Sequence, residues 1–571
     1  MKKILIIFFI CISNSGFCQE FLNLDFEYEI QGSEIPRKWI LNTNGYEIKL
    51  DEQEKINLSK SLRIRSKNPK EGDIGGCSMT FPIDLVKGKA IEFKGRIKTE
   101  GVRDGYAGIW WNAYNSEGPI GFDNMEDRGL QGSNEWTEVS IKMDIDTSAT
   151  YIAFGGILSG QGTAWFDDFE VFVEGEMFRD LTPRTTEPSE GERMWLEKHI
   201  HSFKTYDPKD SFIKDLKELD KLVGDAKVVA LGEVTHGSSE IFKMKHRIIK
   251  YLAEFMAFDI FSIEANMPES YKLNEYIIGG TGNPTDLIKG MYYWTWQTQE
   301  VLDMVEWMKE YNLANQKIRF TGFDMVFYAG AIQELETSFV GQAKVYETIS
   351  TLKETLDNIK TTHPIIVLRE DREKISQLLN TINHFIAKSK KSEDEIDWLY
   401  QNVRIIEQYV DQNGASRDKY MAENLLWIKD RNPGSKIVLW AHNGHIEKTG
   451  NSMGKYLSDT LGNDYLTIGF AFHNGHYTAN GDKGLTRYEA QDSYIGTYEY
   501  FFNAINAPIF VLDLRNIKEK TLENSEWLLD KLEFRNVGAN KMENEFSVTN
   551  LTQDFDLILF INESTSSTLL K

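Results

Sequence analysis

The hydrophobic pattern changes its period once along the chain, near residue 176, and no other feature constrains the fold as much. Before that point short alternating runs recur: SLRIRS (61–66), AIEFKGRIK (90–98), GIWWNAY (108–114), TEVSIKMDI (137–145), YIAFGGIL (151–158) and AWFDDFEVFV (164–173). Gly, Asn and Asp separate them. Period-two alternation with frequent turns predicts an all-β sandwich over residues 19–175. Residues 176–192 (EMFRDLTPRTTEPSEGE) are polar, carry Pro183 and Pro188, and read as a linker. Beyond them, near-continuous apolar runs alternate with amphipathic stretches such as Glu240–Phe255 and Gln299–Tyr311. The runs are 227–231, 259–263, 318–322, 437–441, 465–470, 508–514 and 557–561. That pattern predicts an α/β domain over 193–571, its mostly parallel or mixed sheet covered by helices on both faces. Residues from about 331 to 430 lack strand signals and read as a helical insertion.

Residues 1–18 have the form of a signal peptide. Lys2 and Lys3 precede an apolar run from Ile4 to Ile12, and Gly16 and Cys18 supply small residues for cleavage before Gln19. The run is too short to span a bilayer, so the expectation is an exported protein, periplasmic or extracellular, without a membrane span. Lipidation at Cys18 is the rival reading, and the bulky Phe17 opposes it. Of 3 cysteines only Cys77 lies beyond the leader, so an internal disulfide and a thiolate metal cluster are both excluded from the remainder. Its surroundings (GGCSMTF) mark it as buried filler. With 64 basic against 87 acidic residues the formal charge is −23, which argues against nucleic acid as a partner.

In open α/β sheets ligands bind beyond the carboxyl ends of the strands. The residues just after the apolar runs include Glu233 and His236, Glu264, Asp324, His442 and His445, then His473 and His476. Polar groups that end apolar strands are costly to desolvate unless paired or used. Their repetition at consecutive strand ends predicts one cleft.

These blocks resemble the erythromycin esterase family. The motifs, in family order, are LGEVTHGSSEIFKMKHRIIKYL (231–252), SIEANMPESYKLNEYI (262–277), WTWQTQEVLDMVEWMKEYN (294–312), FTGFDM (320–325), VLWAHNGHI (438–446) and SMGKYL (452–457). The resemblance implies hydrolysis of an ester or lactone by activated water, with no cofactor. His236 matches the family's general base, a role its ordinary pKa near 6.5 suits. Glu233 and Glu264 match its acidic partners. His442 and His445 match its second histidine motif and would polarise the carbonyl or protonate the leaving alcohol. Lys245 and Arg247 follow on the next helix, and one of them would face the cleft and stabilise the oxyanion. The segment before residue 176 is similar to jelly-roll carbohydrate-binding modules through NLDFE (23–27), Pro36, Trp39 and GTAWFDDFEV (162–171), which makes a glycan its candidate partner. Trp110 and Trp111 adjoin in one strand, so one should enter the core while the other faces outward as a stacking platform.

Three other chemistries compete. Gly450-Asn451-Ser452-Met453-Gly454 fits the nucleophile-elbow pattern, but a polar stretch rather than a buried strand precedes it. Glu233, His236, Glu264, His442 and His445 hold enough N and O donors for Zn²⁺ or Mn²⁺, although H-x-x-H in a loop is not the helical metal pair. An inactive, glycan-binding relative is the third, and the retained ionisable groups oppose it.

Overall fold

The computed structural model describes residues 21–571 except 31, 57, 116–117, 315–316, 360–366, 413 and 518–522, so the expected signal peptide lies outside the described residues. The chain forms two compact units that divide between Pro183 and Arg184.

Among the described residues of the first unit every strand pairing is antiparallel, and ten strands share one continuous sheet rather than the two separate sheets of a sandwich. The 26-residue strand Ala90–Asn115 makes the continuity. Its first part pairs with Gln161–Val173 and Leu130–Asp144, its second with Tyr151–Ser159 and Gly118–Asp123. Register shifts between Ile97 and Ala107 mark where it passes from one set of partners to the other, as strands do at the corners of closed β structures. Trp111 is fully buried against Phe81, Phe93 and Phe154, while Trp110 is half-buried, as alternation along a strand requires. Cys77 is buried and accepts the Gly156 N–H, and burial pushes its thiol up to about 12.

The stretch expected to be a linker is ordered and belongs to both units. Glu176 and Met177 pair with Val173 and Phe172, and the Asp180 carboxylate accepts the backbone N–H groups of Leu22 and Leu24. In the second unit Ser189 and Glu192 form a capping box on helix Glu190–His199, and Arg184 pairs with Glu192. Local hydrogen bonding overrides the polar composition here.

The sheet of the second unit contains β1 (Ile200–Ser202), β2 (Val228–Leu231), β3 (Ile260–Asn266), β4 (Arg319–Asp324), β5 (Ile437–Trp440), β6 (Tyr465–Gly481), β7 (Gly484–Glu489), β8 (Ile509–Asp513) and β9 (Leu557–Ser564). Their order is β1-β8-β9-β6-β2-β5-β3-β4, with β7 hairpinned onto β6. The six strands from β9 to β4 run parallel, whereas β8 and β1 are antiparallel, so the sheet is mixed. The helical insertion is present as Ala329–Ser338, Ala343–Asp357, Arg369–Ala387, Glu393–Asp411 and Gly414–Arg431. Strand β6 is longer than its apolar run. His473 and His476 therefore lie inside it, beside Ser493 and Arg487, and not at a strand end.

Register places the site. Leu231, Trp440, Ile263 and Gly322 form one row across β2, β5, β3 and β4. Residues just beyond that row line a single edge of the sheet, beside the switch point where β2 lies between β5 and β6.

Candidate active site

Glu233 follows β2 and is fully buried. Its Oε1 lies 2.7 Å from His236 Nδ1, and its Oε2 accepts from Lys245 Nζ and Trp440 Nε1, both at 2.7 Å. Burial alone would raise this carboxyl, but Lys245 and His236 outweigh it and hold Glu233 below the ordinary value. An ionised Glu233 fixes the His236 tautomer, with the proton on Nδ1 and the lone pair on Nε2.

The turn carrying His236 is shaped by close approaches. A Cβ on Gly232 would lie 2.0 Å from Asn443 Oδ1, and one on Gly237 would lie 1.9 Å from the Thr478 carbonyl oxygen. Asn443 itself bonds the Phe470 N–H and carbonyl, locking the β5 loop to β6. Ser238 then caps helix Ser239–Met256.

That helix carries both candidate oxyanion cations, and the structure separates them. Lys245 is fully buried, 4.4 Å from the Trp440 ring, with its ammonium on Glu233. Burial pulls it down to about 8 in spite of Glu233. Lys245 therefore holds the acid of the Glu–His pair. Arg247 is not in the cleft. Its guanidinium clamps Asp215 (Nη2–Oδ1 2.8 Å, Nη1–Oδ2 3.1 Å) and caps the Thr205 carbonyl, because two residues along a helix is a rotation of roughly 200°.

Glu264, within β3, accepts the His442 backbone N–H on Oε2 (3.1 Å) and Arg417 Nη2 on Oε1 (2.9 Å). Burial would raise it, yet His445 and Arg417 hold it well below the ordinary carboxylate range. Arg417 also binds Asp324 at the end of β4, at 2.7 Å. Its neighbour Asp418 accepts from His445 Nδ1 at 2.8 Å and from the Met453 backbone N–H. His445 Nε2 lies 3.4 Å from Glu264 Oε1. Burial pulls the His445 imidazole down, but Glu264 and Asp418 more than reverse this and lift it to about 10, although Arg417 beside Nε2 opposes them. His442 differs. Its Nδ1 accepts the Gly444 N–H, its Nε2 faces the Val537 carbonyl, and burial followed by its histidine neighbours pushes it down to about 4. The cluster thus holds a histidinium, a neutral histidine fixed by the backbone, and His236, whose ring centre lies 5.3 Å from that of His442. Trp296 stands edge-on to His236 and anchors its Nε1–H on the Glu264 carbonyl.

Sequence reading missed Arg417 and Asp418, which arrive on the last helix of the insertion. Their one local sign is an adjacent charged pair on a helix with buried neighbours. Ser452 is a helix N-cap, donating to the Glu447 and Thr449 carbonyls and accepting from Lys455 N–H, which is not the geometry of an exposed nucleophile. Among the described residues no three His, Cys, Asp or Glu side chains are arranged to hold a metal ion.

Known proteins resemble the chain in sequence and fold. The erythromycin esterase family model matches residues 253–564. The chain is 28% identical over 341 residues to erythromycin esterase type II of Escherichia coli, which covers 52% of this chain and 80% of that protein. The crystal structure of a Bacillus cereus protein superposes with a TM-score of 0.60 at 27% identity, covering 67% of this chain and all of that one. A mutant of the erythromycin esterase EreC in its open conformation superposes at 0.53 and 17% identity over 65% of this chain and 99% of that one, a likeness of fold. The chain belongs to the erythromycin esterase family.

Proposed function

We propose that the second unit hydrolyses an ester or macrolactone by direct attack of water. The observation that carries this reading is the Glu233–His236 bond of 2.7 Å with Lys245 behind it. It keeps the His236 lone pair on Nε2, where it can take the proton of a water. His236 takes that proton as water adds to the carbonyl. The tetrahedral oxyanion then collapses, and His445, held as an imidazolium by Asp418 and Glu264, protonates the leaving alkoxide. Glu264, Asp324 and Arg417 keep His445 in place. The site's own carboxylates are engaged by Lys245, Arg417, Trp440 and backbone N–H groups, which favours histidine activation of water over a metal-held hydroxide. The leader pattern of residues 1–18 supports export, and the jelly-roll resemblance of the first unit supports a glycan as its ligand.

The test is His236→Ala against a panel of macrolides and acylated sugars read by mass spectrometry. The expected loss in kcat/KM is about two to four orders of magnitude, the span for a lost general base. His236→Asn, which cannot titrate, should be nearly as impaired, and exhaustive chelation should leave wild-type turnover intact. Near-wild-type turnover by His236→Ala on the hydrolysed substrate refutes the assignment.

A further inference from the structure

The segment after β9 laces together the two pieces of chain that flank His236. Ser566 bridges Ser238 in antiparallel fashion, the Ser567 N–H donates to the Gly237 carbonyl at 2.8 Å, and the Ser239 N–H donates to the Thr565 carbonyl at 2.9 Å. Thr565 Oγ1 donates to Glu240 Oε1 at 2.6 Å. The same segment then reaches the chain behind Trp296. Leu569 bridges Thr298, the Gln299 N–H donates to the Thr568 carbonyl at 2.7 Å, and the Leu570 N–H donates to the Gln297 carbonyl at 2.8 Å. Glu300 closes the loop, accepting from Ser239 Oγ at 2.6 Å and from the Thr568 N–H at 3.1 Å. Leu570 packs on the main core and fixes the far end.

These contacts do more than seal a surface. Glu233 holds the His236 ring from below, the Trp296 edge and the His442 ring stand beside it, and the Gly237 carbonyl also accepts the Thr478 N–H of β6 at 3.0 Å. The backbone of the His236 turn at Gly237 and Ser239 is hydrogen-bonded to this segment, and the wall carrying Trp296 is hydrogen-bonded to the same six residues. Base and wall are therefore registered against each other by a third strand of chain. We propose that residues 565–570 are a positioning strap for His236, setting the distance between its ring and the water it activates, and this rests on the reading of His236 as the base. Misplacing a reacting group by about 1 Å costs on the order of 10²-fold in rate, so loss of the strap should appear in kcat.

The test deletes residues 565–571 from the full chain and follows two readouts. The first is kcat and KM on the hydrolysed ester. The second, independent of activity, is the rate at which diethyl pyrocarbonate modifies His236, read by peptide mass mapping. The expected result is a kcat loss of about ten- to a hundredfold with KM within about threefold, faster His236 labelling, and recovery of both on adding the synthetic peptide TSSTLLK. Unchanged kcat and unchanged labelling in the deleted chain overturn the proposal. So does a kcat loss that the peptide fails to restore while His236 labels at the wild-type rate. Should the deleted chain not fold, Thr565→Val and Glu240→Gln, which break one strap bond each, carry the same two readouts. If His236→Ala retains activity the base assignment fails, while the labelling rate still reports whether the strap holds the ring.

Discussion

Replacing Lys245 by methionine separates two roles that the sequence leaves open. An oxyanion-stabilising lysine acts on the transition state, so its loss should lower kcat equally at all pH values. A lysine that keeps Glu233 ionised acts through titration. The ammonium sits 2.7 Å from Glu233 Oε2 in a site without solvent access. Two unit charges about 4 Å apart interact by about 4 kcal/mol at an effective dielectric of 20, which is about a thousandfold in an equilibrium. Without that cation the buried Glu233 is relieved by a proton, its own or one held on His236. In both cases the resting base is lost near neutrality. The acidic limb of the kcat/KM profile should move up by about one to three units, and the rate at pH 7 should fall by about ten- to a thousandfold, with recovery toward pH 9. Stability should also fall by about 3–5 kcal/mol, the usual cost of orphaning one member of a buried pair. Lys245→Arg should restore both if the pocket accepts the larger head. The assay is kcat/KM on a soluble aryl ester from pH 5 to 10. A profile parallel to that of the wild type, merely displaced downward, refutes this reasoning and returns Lys245 to the oxyanion.

Ser452→Ala should cost about 1 kcal/mol in stability, as a lost N-cap does, and leave kcat within about twofold, with no acyl adduct on the wild-type serine by intact mass. Trp111→Ala should destabilise the first unit by about 3–5 kcal/mol and Trp110→Ala by much less, measured by denaturant unfolding of residues 19–183. His445 has a folded value of about 10 against an ordinary 6.5. Its contribution is thus fully present below pH 6.5 and lost as pH rises towards 10, so Asp418→Asn should lower the melting temperature at pH 6 and converge on the wild type above pH 10. Expressed from Arg184, the second unit should hydrolyse small esters at the full-chain rate, whereas a start at Gly191 removes the Ser189 cap and the Arg184–Glu192 pair and should be less stable.

Much of the second unit was legible because strands buried on both faces leave unbroken apolar runs, as at Val228–Leu231 and Ile437–Trp440. The polar residues that follow such runs stand out for the same reason, which is how Glu233, Glu264, His442 and His445 came into view. The direction of Lys245 was also readable in principle, since it falls in the buried stripe of Ile241, Ile248 and Leu252. Arg417 and Asp418 were not. They sit on a helix whose local pattern says only that it is amphipathic, and tertiary folding alone brings them to Glu264 and His445. Nor does period-two alternation reveal that one strand passes through both parts of the first unit, because the alternation is the same whichever partner a strand takes.

The charge balance of the cluster explains why a histidine there can act as a base. Glu233, Glu264, Asp324 and Asp418 face Lys245, Arg417 and the His445 imidazolium, so the ionised groups around a neutral His236 leave one negative charge in excess. His442 adds none, because burial keeps it neutral. An uncompensated charge in such surroundings is costly, and a proton taken up by His236 from water removes it. Abstraction of a proton from water therefore neutralises the protein frame at the moment when negative charge appears on the substrate oxygen. The excess charge moves from the frame to the oxyanion, and the frame no longer repels it. The Glu233–Lys245 pair makes this work, since Lys245 keeps Glu233 ionised before the proton arrives and the pair stays fixed after it has.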